Sequence, residues 1–318
     1  MPKMKFALLL IAVVVVQAQN NSIDGRLRRA LEKSGTGETA VAELSNQRYT
    51  QVEEKLEQAK RSAEAPSAEL FSLQGAVAFL AGDMKASVLH FQEAARIAPL
   101  QDGDAFTLAM ALANLGDDAA SRAIVAELAQ KHPQNGLYVY WLGRLDYDQR
   151  RYGEAVEKLK SAVNLDPNSP RFWDSLGLAY DMSGQVEQAH EAFEKAVSLN
   201  RTQPRLSPWP PHDLGYCLLR MDRPQEAEAA LREALRYDSK LAQAHYHLGR
   251  TLEKEGRDAE AIEEYRAAVS DDASSPDACY SLAMLYRKLR RDTEANAMFV
   301  EYRKRREAQA TPAVTLEK

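Results

Sequence analysis

Cysteine is almost missing from this chain: of 318 residues, only Cys217 and Cys279 carry a thiol. No disulfide framework can hold the fold, and nothing in the spacing suggests that the two pair. Packing must do the work, and a chain of this length can bury enough apolar surface for that. Membrane-length apolar runs are missing too. Phe6 to Val16 is unbroken, but as a helix it is only about 16 Å long, against roughly 30 Å of bilayer hydrocarbon. An excess of positive charge is also lacking. The formal net charge is −5, which argues against a general nucleic-acid binder.

Catalytic and metal-binding patterns are absent as well. There is no His-Glu-x-x-His run, no cysteine pair with zinc spacing and no Gly-rich phosphate loop. His245 and His247 stand two apart on a helix, so they point about 200° from each other and cannot chelate one ion together. His212 and Asp213 are adjacent but lack a nucleophile partner. These absences predict no metal, no cofactor and no enzymatic activity.

At the start of the chain, Lys3 and Lys5 precede the apolar run, and Val16-Gln17-Ala18 supplies small residues suited to a signal peptidase. Residues 1–18 are therefore expected to be a removed secretory signal, placing the mature chain in the periplasm or outside the cell. No cysteine near the cut supports a lipoprotein. The alternative is an uncleaved anchor, and membrane association is expected only in that case.

The remainder has a rhythm. Pro99, Pro133 and Pro167 are 34 residues apart, as are Gly143 and Gly177, and Gly215 and Gly249. In the stretch from Pro170, Trp173, Leu176, Gly177 and Tyr180 share one helical face, and Ala189, Phe193 and Ala196 share that of a second helix. Gly82, Gly116, Gly184 and Gly256 are expected in the turn between paired helices, and proline is expected to stop the second helix of a pair. This pattern resembles the tetratricopeptide repeat family. Seven of its eight signature places match in the unit from Pro170, with Arg201 where the closing proline would stand.

The resemblance implies an all-α solenoid, a right-handed superhelix of helix–turn–helix units. In register the seven units are 68–101, 102–135, 136–169, 170–207, 208–241, 242–275 and 276–306. A degenerate half-repeat precedes them at 38–67. Residues 19–37 are polar and expected to be loosely ordered, and 307–318 are expected to fray. Between Arg287 and Arg306 basic residues dominate, and the run 303–306 is expected to be a solvated cap.

Such an array implies a concave groove lined by the first helix of each pair, binding a protein or peptide. The candidate contact residues are Tyr140, Trp141, Arg144, Tyr147, His212, Tyr216, Arg220, Tyr246, Arg250, Tyr280 and Arg287. Tyrosine, tryptophan and arginine bury large area and still hydrogen-bond. Relatives that clamp a chaperone's terminal carboxylate carry Lys at the fifth and Asn at the ninth place of a unit. No unit here does.

The fourth unit is four residues longer than the others and ends in a proline-rich stretch around Trp209. Pro211 is expected in the first turn of the next helix, and Pro210 is expected to hold Trp209 extended. Two readings of Trp209 stand: a staple for the helix start, or a ligand contact at the groove. The function expected is that of an exported interaction scaffold. Alternatives are a membrane-tethered adaptor of a cell-envelope complex and a small-ligand or glycan binder.

Overall fold

The computed structural model describes residues 20–63, 67–272 and 275–310, with side chains from residue 23 onward. Residues 1–18, where the signal is expected, and 311–318 lie outside the described residues. The described residues form seventeen helices and no strand. They divide into two compact units, one ending at Leu145 and the other beginning at Asp146.

The first unit contains α1 (Asn20–Ala30), α2 (Gly37–Ser45), α3 (Tyr49–Ser62), α4 (Ala68–Ala81), α5 (Met84–Ile97), α6 (Asp102–Leu115) and α7 (Asp118–Lys131). The division falls inside α8 (Gly136–Asp148). The second unit continues with α9 (Tyr152–Leu165), α10 (Pro170–Met182), α11 (Val186–Asn200), α12 (Trp209–Arg220), α13 (Pro224–Tyr237), α14 (Ala242–Lys254), α15 (Asp258–Asp271), α16 (Asp277–Lys288) and α17 (Asp292–Ala310).

Several helix pairs close on a missing side chain, at Gly75, Gly177, Gly215 and Gly249. A Cβ on Gly177 of α10 would lie 2.6 Å from the ring of Phe193 on α11, and one on Gly249 would lie 2.7 Å from Tyr265. The glycine lets the aromatic residue sixteen places later press against the first helix. Phe193 and Tyr265 are both 1% exposed as a result.

The turn between paired helices needs one left-handed residue. Gly82, Gly116, Gly184 and Gly256 supply it, with φ from 76° to 87°. In other pairs Gln47, Arg150, Asp222 and Arg290 adopt φ near 60° without being glycine. Pro99, Pro133 and Pro167 each stand two residues beyond the last residue of α5, α7 and α9. Asp83 and Asp117 begin α5 and α7 by accepting from backbone amides at 2.9 and 3.1 Å.

Three expectations about the ends of the array are corrected. Residues 20–30 are helical rather than loosely ordered, because Ile23, Leu27 and Leu31 fall one turn apart and are all buried. The last helix runs on to Ala310, past the expected fray point at 307. Within the basic run, Arg305 is buried and not solvated. It donates to Asp272 O at 2.9 Å and to Ser275 O and Val269 O at 3.3 Å, capping the end of α15. A cation there complements the negative end of the helix dipole.

The insertion is a closed loop. Asn200 donates to Ser207 O at 2.8 Å and accepts from Ser207 N at 3.0 Å. Arg201, in the place of the closing proline, donates to both Glu233 oxygens at 2.8 and 2.6 Å. Pro210 and Pro211 occupy the first turn of α12, where a missing N–H costs nothing. Trp209 is not extended, contrary to expectation. It is already the first residue of α12, following Pro208, whose backbone is itself helical at φ −75° and ψ −14°.

Candidate functional site

In the second unit α10, α12 and α14 are the first helices of successive pairs, and each packs against the next. Five aromatic side chains from α12 and α14 are linked by ring contacts. The rings of His212 and His247 are 5.2 Å apart. Tyr216 lies 4.7 Å and Tyr246 5.1 Å from His247. Trp209 meets His212 edge-on at 5.6 Å.

Charge surrounds this cluster in an ordered way. His212 Nδ1 and Asp213 Oδ1 are 2.7 Å apart. Arg220 pairs with Asp181 of α10 and lies 5.9 Å from the ring centre of Tyr216. One repeat further on, Arg250 lies 5.8 Å from the ring centre of Tyr246. Arg250 is exposed and has no carboxylate partner among the described residues. A guanidinium over a tyrosine face is held by the ring quadrupole and still offers its N–H groups outward.

Two deep nitrogens, His212 Nε2 and His247 Nδ1, have no hydrogen-bond partner. Burial, with the nearby His212 and Arg250 adding to it, pushes the His247 pKa well below the ordinary histidine value. His247 is thus neutral at physiological pH. Burial raises the Asp181 carboxyl, Arg220 pulls it down and Asp213 pushes it up again, with a net rise.

Not every expected contact residue faces solvent. Tyr140 and Trp141 are each 1% exposed, and Arg144 is buried with them. The Trp141 ring packs edge-on against Phe106 at 6.2 Å and against Tyr140 at 5.5 Å. These three belong to the packed interior and are withdrawn as ligand contacts, because neighbouring side chains cover this part of the helix, Phe106 and Tyr140 against Trp141 among them. Tyr147 is half-buried against Tyr152 at 5.5 Å. His212 is buried and backs the cluster without opening onto it. Trp209, Tyr216, Arg220, Tyr246 and Arg250 remain accessible in whole or part.

Tyr280 is not brought to the cluster. Its ring meets Phe299 and Tyr302 of α17 at 6.2 and 5.3 Å. Arg287 is exposed one helix end away. His247 is a member of the cluster that was not among the expected contacts. Its signal was present: the fifth and sixth places of neighbouring units, His212-Asp213 and Tyr246-His247, are side by side in space. His245, two residues earlier, faces elsewhere and bonds Glu264 at 2.6 Å. Among the described residues no group of three or more His, Cys, Asp or Glu could hold a metal ion. Both cysteines are free and buried.

The fold and this site define a helical-repeat protein. Models of the tetratricopeptide repeat match residues 143–184, 170–203 and 212–278, so these residues are tetratricopeptide repeats. The chain is 40% identical over 95 residues to the type IV pilus assembly protein PilF of Pseudomonas aeruginosa, covering 29% of this chain and 36% of PilF. It is 30% identical over 81 residues to Superkiller protein 3 of Saccharomyces cerevisiae, covering 25% of this chain and 6% of that one. The chain therefore spans about a third or less of these curated relatives. A crystal structure of a tetratricopeptide repeat protein from Parabacteroides merdae superposes with a TM-score of 0.63 at 14% identity, covering 82% of this chain and 99% of that one. That likeness shows the α-solenoid fold.

Proposed function

We propose that the protein is a non-catalytic scaffold that binds a protein or peptide along the α12–α14 face of its second unit. The observation that carries this reading is the repeated arginine-over-tyrosine pair, Arg220 with Tyr216 and Arg250 with Tyr246, around a neutral, half-buried histidine. Such a surface offers flat apolar area for a side chain and outward N–H donors for backbone carbonyls or carboxylates. No acid–base pair with a nucleophile accompanies it, so the bound chain leaves unchanged.

The name of PilF, a pilus assembly protein, supports a role in holding components of an assembly together. Export fits that reading, and a mature chain beginning at Gln19 by N-terminal sequencing is its test. A chain retaining residues 1–18 favours the tethered alternative.

Binding is tested by pull-down from the source cells. Alanine at Tyr216, Tyr246 and Arg250 together removes the specific partners that the parent chain captures. If every partner stays bound, the α12–α14 face is not the binding surface.

A further inference from the structure

The second helices α11, α13 and α15 share one pattern, and α17 breaks it in two places. The buried large side chains Phe193, Leu231 and Tyr265 correspond in register to Phe299. One residue further on, the other helices carry exposed charge: Glu194, Arg232 and Arg266. In α17 that place is Val300, an aliphatic side chain left 56% exposed. The third position after the ring is Ala196, Ala234 and Ala268, each at most 1% exposed. Ala234 shows why it is small, since it packs against Ala244 of the following helix. In α17 it is Tyr302, whose ring fills that space against Tyr280. The end of the array is therefore not shaped for another repeat, and yet it leaves an apolar side chain, Val300, open among its polar ones, which a solenoid end facing water does not need.

A cleft of about 480 Å³ runs along this end, lined by Asn296, Phe299, Val300, Tyr302 and Arg303. Asp292 lies on the same face. At about 100° per residue, Asp292, Asn296, Phe299, Val300 and Arg303 fall within a stripe roughly 100° wide. Asp292 and Arg303 are both exposed, and neither has a charged partner among the described residues. They stand eleven residues apart, close to three turns, with the apolar centre between them.

This stripe is complementary to itself when reversed. We propose that the protein self-associates by packing α17 antiparallel against α17 of a second copy. The two-fold axis then passes between Asn296 and Phe299, so that Val300 and Phe299 of both copies form the apolar centre. Asp292 of each copy meets Arg303 of the other, giving two equivalent ion pairs, as an isologous interface requires. The helix dipoles of the two copies also run antiparallel in this arrangement.

The test is sedimentation equilibrium of the full chain and three variants: Asp292→Arg, Arg303→Asp and Val300→Glu. The parent chain forms a dimer at micromolar concentration. Each substitution alone weakens association by roughly tenfold or more, since like charges or a buried carboxylate then face each other. An equimolar mixture of Asp292→Arg and Arg303→Asp chains dimerises again, because one copy presents two arginines and the other two aspartates. Helix content by circular dichroism stays at the parent level throughout. A monomeric parent chain overturns the proposal. So does a dimer indifferent to the substitutions, or a mixture that stays monomeric.

Discussion

Arg26 and Asp104 stand 78 residues apart and form a two-pronged ion pair in the interior of the first unit. The guanidinium donates to both carboxylate oxygens at 2.9 and 2.8 Å, and a second pair of bonds reaches Glu69 at 2.7 and 3.1 Å. Arg26 is 5% exposed and Asp104 is equally buried. Burial alone would lower the arginine's pKa, but the bonds to Asp104 and Glu69 outweigh it and raise it. The pair fastens α1 to α4 and α6, beside the apolar stripe of Ile23, Leu27 and Leu31.

Removing one partner leaves the other charged and buried. Arg26→Ala is expected to destabilise the first unit by about 3–5 kcal/mol. Urea denaturation followed by circular dichroism measures it. A shift within about 0.5 kcal/mol, the range of ordinary surface changes, would mean that α1 is not fastened through this pair.

Gly177 separates α10 from Phe193 by the width of a hydrogen atom. Gly177→Ala places a Cβ 2.6 Å from that ring. The expected cost is about 1–3 kcal/mol despite alanine's better helix propensity. At Gly153 a Cβ meets nothing within 4 Å, so Gly153→Ala stabilises by up to about 1 kcal/mol. Opposite signs in thermal unfolding check the packing argument.

Arg290 holds φ at 58° between α16 and α17. Glycine adopts that conformation without strain, so Arg290→Gly is expected to stabilise by up to about 1 kcal/mol. Thermal unfolding of the variant provides the measurement, with a higher midpoint expected.

His247 and His245 give opposite pH dependence. Burial holds the folded His247 pKa well below the ordinary value, while the unfolded chain protonates near 6.5. As pH falls through that value the unfolded state binds the extra proton and stability drops. His245 bonds Glu264, which raises its pKa. Its contribution is fully present below about 6.5 and fades as pH rises through the folded value. His247→Phe is therefore expected to flatten the loss of stability between about pH 7 and 5, and His245→Gln to steepen it. Urea midpoints at both pH values distinguish the two.

Much of the fold was legible because small residues mark it. Gly177 and Ala189 stand where backbones approach, and Gly184 where the chain turns left-handed. Those requirements are local, so a 34-residue spacing exposes them. What was hidden depends on contacts distant in sequence. No spacing links Arg26 to Asp104. Nothing local distinguishes Tyr140 and Trp141, which are covered, from Tyr246, which reaches solvent. Arg150, Asp222 and Arg290 take a glycine conformation without being glycine, so three turns left no mark. His247 was visible on the right face, but its value as the centre of the cluster depends on His212 and Tyr216 from the preceding pair.

The direct test of the binding face is photo-cross-linking in the source cells from single positions. A photoreactive side chain at Tyr246 is compared with one at Arg232, which is exposed on α13 away from the cluster. A discrete cross-linked species from position 246, absent from position 232 and weakened roughly tenfold by Arg250→Ala, is the predicted result. Equal cross-linking from both positions, or a species at 246 indifferent to Arg250, would contradict the account.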